Sequence, residues 1–207
     1  MNKIKGIAAS AGIAIARAFI LEHPDYAVTR KQADDVQAEL AKLDDALAKS
    51  RAELEAIKAR TLAELGEKKA EIFESHLLIL SDPELIDPVK DKIRSEAVNA
   101  EYALDETAAQ FIRMFENMKS AYLQERAADM RDVTKRILKH LLGLQYVSPS
   151  EIDEEVIVIA EDLTPSDTAG LNRKFVKGFT TNIGGRTSHS AIMARSKFRR
   201  WSARKAF

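Results

Sequence analysis

Val156-Ile157-Val158-Ile159-Ala160-Glu161-Asp162-Leu163-Thr164-Pro165-Ser166-Asp167-Thr168 reads as a strand, a turn and the start of a helix. The run Val156 to Ala160 is short, apolar and rich in β-branched residues, as a buried strand requires. Thr164-Pro165 marks the turn, and Ser166 is the expected helix cap. Phe175 to Thr181 predicts a second strand. Strand and helix alternating in this order indicate an α/β domain.

Downstream, the second strand runs into Gly184-Gly185-Arg186-Thr187-Ser188-His189-Ser190-Ala191-Ile192-Met193-Ala194-Arg195. Ala191 to Ala194 reads as helix, which puts Ser188 and His189 near its amino terminus. Unpaired backbone N–H groups and the positive end of the helix dipole favour an anion there. Two glycines let the backbone approach a phosphate closely. A neutral imidazole nitrogen in that place is a competent nucleophile and phosphoryl acceptor near pH 7.

Upstream, the chain is mostly helical. From near Lys31 to about Leu142, leucines and isoleucines recur at three- and four-residue steps: Val36, Leu40, Leu43, Leu47, Leu54 and Ile57 mark one amphipathic helix. Glu67 to Leu80 predicts a second, interrupted at Ser81-Asp82-Pro83. Ala97 to Met118 and Ala121 to Leu142 predict a third and fourth, the last ended by Gly143. Four helices joined by short turns suggest an antiparallel bundle. Residues 1 to about 30 read as short strands, with a turn at Ser10-Ala11-Gly12, rather than as a secretory signal. If those opening strands pair with the later ones, the bundle is an insertion within one α/β domain.

Composition bounds the function. The chain has 207 residues, 45% of them hydrophobic, no cysteine and a formal net charge of +0. No apolar run reaches membrane-spanning length, and disulfides and thiolate metal sites are excluded; a cytoplasmic protein is expected. Lys197 to Phe207 holds five basic residues and no acid, leaving 27 basic against 32 acidic residues in the body. That mildly acidic body is a poor nucleic-acid binder. The basic, tryptophan-containing tail could touch RNA or a membrane surface. It reads better as a foreign ending attached where the domain should continue.

The twelve positions Gly184 to Arg195 resemble the active-site signature of the phosphoenolpyruvate-utilising enzymes, whose histidine carries the phosphoryl group. Ala9-Ser10-Ala11-Gly12-Ile13-Ala14, Glu125-Arg126-Ala127-Ala128-Asp129-Met130-Arg131-Asp132 and Asp162-Leu163-Thr164-Pro165-Ser166 narrow the resemblance to Enzyme I of the bacterial phosphotransferase system. It runs from about residue 4 to Ser196. The related dikinases and synthases place a nucleotide-binding domain before the histidine, and nitrogen-branch relatives an extra regulatory domain ahead of this region. Nothing here resembles either, so the sugar-transport branch is favoured.

The resemblance implies an α/β phosphohistidine (swivelling-type) domain carrying an inserted antiparallel four-helix bundle, mainly helical by residue count. The expected domains are 1–30 with 144–196, the phosphohistidine part, and 31–143, the helical part that docks the phosphocarrier HPr. Residues 197–207 form the atypical tail. His189 is then the phosphorylated nucleophile. Thr168 supports its ring or the phosphoryl oxygens, Gly184, Gly185, Thr187 and Ser188 shape the turn, and Arg186 and Arg195 are candidates for charge neutralisation. In the family a separate C-terminal barrel binds phosphoenolpyruvate and Mg2+ and dimerises the enzyme. That barrel is missing from this sequence, so no metal or cofactor is expected here, the chain is expected to be a monomer, and phosphoenolpyruvate alone should not phosphorylate it.

Glu67, Glu71 and Glu74, at i, i+4 and i+7, place three carboxylates on one helical face, which Leu78 continues. By itself that is a solvated face. In the family context it becomes an acidic rim for a basic carrier, joined by Asp82 and Glu84 around the break, His76 on the same helix and Arg126 on the fourth. Lys68 and Pro83 stand where relatives commonly have acidic residues.

Overall fold

In the computed structural model, residues 7–10, 13–22, 26–144, 149 and 152–183 are described, with the backbone alone for 121–125. The chain divides into two compact units, Met1–Pro24 with Tyr146–Phe207, and Asp25–Gln145.

The first unit is built on three parallel strands, β1 (Arg17–Leu21), β2 (Val156–Ala160) and β3 (Val176–Thr181), in the order β1-β2-β3. Arg17 to Leu21 pair in register with Val156 to Ala160, so the opening strand does join the later ones. β2 pairs in turn with β3, with an irregularity at Val156/Ile157. No strand precedes Arg17 among the described residues, and much of the expected first strand and of the Ser10-Ala11-Gly12 turn lies outside them. Leu21, Val156, Val158, Ala160 and Val176 pack with Ile152, Leu163 and Leu171 into one core, with Phe19, Phe175 and Phe179 at its margin. Ile20 and Ile159, partners in register, lie on the other face, 64% and 38% exposed.

The second unit holds five helices where four were expected: α1 (Val36–Leu65), α2 (Glu67–Leu80), α3 (Pro83–Glu96), α4 (Ala100–Glu116) and α5 (Ala121–Leu141). Asp35 caps α1, its carboxylate accepting from the N–H groups of Gln37 at 2.8 Å and Ala38 at 3.2 Å. α1 ends at Gly66, whose φ of 85° turns the chain straight into α2. After Ser81 the chain restarts rather than stopping: Asp82 caps α3 and Pro83 takes its first position. Ala97, expected to begin the third helix, instead closes α3 in the left-handed conformation at φ 48°. α4 starts at Ala100, whose N–H donates to the Glu39 carboxylate at 2.8 Å. As expected, the fourth predicted helix ends at glycine, Gly143 having a φ of 63°.

α1 packs against each of the other four helices; α2 meets α5, α3 meets α4, and α4 lies along α5. Leu43, Leu54, Phe73, Leu85, Val89, Ile93, Leu104, Ile137 and Leu138 fill the interior. The leucine periodicity is core, as expected of an amphipathic bundle. One ionic cluster crosses from α1 to α5. Glu53 accepts from Arg136 Nη1 at 2.5 Å and Lys139 Nζ at 3.3 Å, and His140 Nε2 sits 3.1 Å away. Burial pushes the Glu53 carboxyl up, but Arg136, Lys139 and His140 outweigh it and hold it below its ordinary range. Burial also lowers His140, against the opposing pull of Glu53.

Candidate functional site

In the α/β unit the described part of the site is a short helix, α6 (Pro165–Gly170). Its cap is Thr164 and not Ser166. Pro165 fills the first helical position, so the hydroxyl one residue earlier meets the free N–H groups. Thr164 Oγ1 accepts from Asp167 N at 3.1 Å, and Asp167 Oδ2 accepts from Thr164 N at 3.0 Å, a reciprocal capping box. Ser166 is a buried residue of the helix itself.

This box sets the helix that carries Thr168. Thr168 is 0% exposed, and its hydroxyl donates to the Thr164 carbonyl at 3.0 Å. With that proton committed, Oγ1 retains lone pairs that can accept from an N–H. Gly184, Gly185, Arg186, Thr187, Ser188, His189 and Arg195 lie outside the described residues, as do the expected helix from Ala191 to Ala194 and the basic tail.

In the helical unit, α2 presents the expected acidic face. Glu67, Glu71 and Glu74 are exposed, and Leu78, continuing their line, is 68% exposed. Among the described residues Glu67 and Glu71 form no ion pair, whereas Glu74 receives Lys58 Nζ from α1 at 2.8 Å. Asp82 is exposed but occupied, its Oδ1 accepting from Glu84 N at 3.0 Å as the cap of α3. Glu84, Lys68 and Pro83 are exposed beside it, and Arg126 of α5 is half-buried.

His76 does not belong to that surface. Its side chain is 0% exposed, with Nε2 3.3 Å from Asp129 Oδ1 and Nδ1 3.5 Å from Asp132 Oδ2. Its ring meets that of Phe73 at right angles, centroids 5.8 Å apart. The reason is helical phase: nine residues on from Glu67, at about 100° each, His76 falls half a turn from the acidic row. Asp129 and Asp132, three apart on α5, are the partners that sequence reading passed over, although they stand within the quoted segment Glu125 to Asp132. No group of three His, Asp or Glu side chains among the described residues could hold a metal ion. None of the helices there is long and apolar enough to cross a membrane.

Comparison with known proteins agrees with this architecture. Residues 5–126 match the family described as PEP-utilising enzyme, N-terminal, and residues 152–197, a span that includes His189, match PEP-utilising enzyme, mobile domain. The phosphoenolpyruvate-protein phosphotransferase of Priestia megaterium is 68% identical over 195 residues, covering 94% of this chain and 34% of the relative. The chain thus spans about a third of the length of such curated relatives. A solution structure of Enzyme I superposes with a TM-score of 0.82 at 47% identity, covering 93% of this chain and 79% of that one. The N-terminal domain of the nitrogen Enzyme 1 superposes at 0.68 with 26% identity, covering 91% and 77%. With a family match over more than half its residues and a matching fold, this chain belongs to the phosphoenolpyruvate-utilising enzymes, in the part that corresponds to the N-terminal region of Enzyme I.

Proposed function

We propose that this chain carries out the histidine phosphoryl-transfer step of a phosphoenolpyruvate-protein phosphotransferase, taking the group on His189 and exchanging it with a histidine of the phosphocarrier HPr. The observation that carries the reading is the twelve-residue stretch around His189, lying within the matched span 152–197. As its sequence reads, a glycine turn leading into a helix would supply backbone N–H groups for phosphoryl oxygens, and the imidazole the nucleophile. The ring's lone pair attacks phosphorus, the phosphorus–nitrogen bond to the carrier breaks, and its electron pair returns to the carrier's ring. Such a transfer needs alignment and charge stabilisation more than further covalent groups. Arg186 and Arg195 are the candidate cations. Thr168, whose hydroxyl already donates its hydrogen bond to the Thr164 carbonyl, would accept from the histidine N–H and so orient the ring.

The partner docks on α2. Glu67, Glu71 and Leu78 offer an exposed acidic edge with an apolar end, suited to a carrier with basic residues around its own histidine. Glu74, Asp82, Glu84 and Arg126 flank it. The sugar-transport branch is favoured, since identity is 47% to the Enzyme I structure against 26% to the nitrogen form. In the family, phosphoenolpyruvate and Mg2+ belong to a C-terminal barrel. The described residues offer no donor set for the metal, so no step is assigned through it. The chain itself is taken to be a cytoplasmic monomer.

Incubation with HPr phosphorylated on its histidine tests this. Label should appear on the chain, and His189→Ala should abolish it while complex formation persists. A complex that forms without ever labelling the parent chain would make this a binding module, and the catalytic reading would be wrong.

A further inference from the structure

A docking surface spread over α2 and α5 works only if the two helices keep one register. α2 is closed at its carboxyl end by Ser81, whose Oγ donates to the Leu77 carbonyl at 2.8 Å; its start has less to hold it. It follows α1 after Gly66 alone, with no side-chain cap. Two polar contacts join it to α1, Lys58 to Glu74 at 2.8 Å and Arg51 to Ser81 at 2.5 Å, both at exposed positions. Apart from His76, its buried residues, Ala70, Phe73, Ile79 and Leu80, are apolar. Apolar burial is non-directional and tolerates sliding. The buried imidazole between two carboxylates is not so tolerant.

We infer that His76 is a positioning residue for partner docking, fixing α2 against α5 through Asp129 and Asp132. The inference rests on the docking reading given above. Nε2 hydrogen-bonds Asp129 Oδ1 at 3.3 Å, and Nδ1 lies 3.5 Å from Asp132 Oδ2 without forming a hydrogen bond, the ring being wholly buried. A displaced α2 would break the Nε2–Asp129 hydrogen bond and leave that nitrogen, like Nδ1, buried without a partner, an arrangement that is penalised far more than a shift of methyl groups. Slippage by one turn would move the helix by about 5.4 Å. Arg126 stands one turn before Asp129 on α5, and Glu67, Glu71, Glu74 and Leu78 lie on the side of α2 opposite His76. The same contact that seats the ring therefore sets the spacing of the acidic row from Arg126.

Two substitutions separate position from bulk: His76→Leu keeps the volume and removes the ring nitrogens, while His76→Gln keeps an amide N–H. Each variant of the full chain is titrated with unphosphorylated HPr, alongside amide hydrogen exchange. His76→Leu should retain helical circular dichroism, speed exchange across Ala70 to Leu80, and weaken HPr binding about tenfold, because the acidic row loses its fixed spacing from Arg126. His76→Gln should restore both properties to within about threefold. Parent-like binding by His76→Leu, or equal weakening in both variants, overturns the inference. If His76→Leu does not fold, Asp129→Asn decides: faster α2 exchange with weaker binding supports the role, and no change in either refutes it. Glu71→Lys keeps the two readings apart. It should weaken HPr binding without altering α2 exchange, and if it leaves binding intact the docking face fails while the exchange result still judges His76.

Discussion

The hydroxyl of Thr168 donates to the carbonyl of Thr164, four residues back, and this decides what the side chain can offer to a ligand. Thr168→Val removes the oxygen at nearly constant volume. It should cost about 1 kcal/mol of stability and slow phosphoryl exchange about tenfold if the oxygen orients the reacting ring, with Thr168→Ser recovering most of the rate. Unchanged single-turnover labelling from phosphorylated HPr would remove Thr168 from the site. Ala97 makes a second residue-scale case. It is held at φ 48°, where an L-residue pays and glycine does not. Ala97→Gly should stabilise the chain by about 1 kcal/mol, raising the melting midpoint by about 3 °C; a lower midpoint would show that its methyl is needed more than its strain is felt. His76 was legible in principle. The i, i+4, i+7 spacing that identified Glu67, Glu71 and Glu74 also puts residue 76 on the reverse of the helix, and only the family analogy drew it to the surface.

At the scale of elements, β2 and β3 were readable because β-branched runs bounded by turn residues have few other solutions. α1, α2 and α5 were readable from apolar periodicity, and the end of α5 from Gly143. α3 was not, because Pro83 and Pro88 both argue against helix in its sequence. Pro83 proves harmless at the first position, and Pro88 is tolerated at an exposed one, while Leu85, Ile86, Val89 and Ile93 supply a buried face that outweighs it. The cap of α6 was misread by two residues because three candidate oxygens surround Pro165. The α1–α5 cluster gives an acid response. The Glu53 carboxyl is held low in the folded chain, so its contribution is full above the ordinary glutamate range and is lost as pH falls through the folded value. His140, also lowered, acts in the same direction: the unfolded imidazole takes up a proton first, so stability falls below the ordinary histidine range. The melting midpoint should therefore fall from pH 7 to pH 4. Glu53→Gln should lower it by about 3 °C at pH 7, equivalent to about 1 kcal/mol, and by less at pH 4. An equal drop at both pH values would contradict the charge cluster as its cause.

At the scale of the whole molecule, one unit carries an exposed acidic helix face and the other the elements that lead to His189. In the sequence, strand signals stand on both sides of a long helical stretch, and the sheet pairing Arg17–Leu21 to Val156–Ala160 joins those two sides. Charge should therefore control binding without touching the chemistry. Glu67→Lys with Glu71→Lys should weaken HPr binding about tenfold at low salt, and the difference from the parent should shrink at 1 M salt, where screening acts within about 3 Å. Labelling at saturating phosphorylated HPr should recover; if it does not, those carboxylates do more than dock.

The chain has four histidines, and the account stands on one of them. The most direct measurement is to phosphorylate the chain from phosphorylated HPr, digest it at neutral pH and locate the acid-labile phosphoryl group by peptide fragmentation. It should sit on the His189 ring, within the segment Gly184 to Arg195. A phosphoryl group on His23, His76 or His140, with His189 unmodified, would contradict the account.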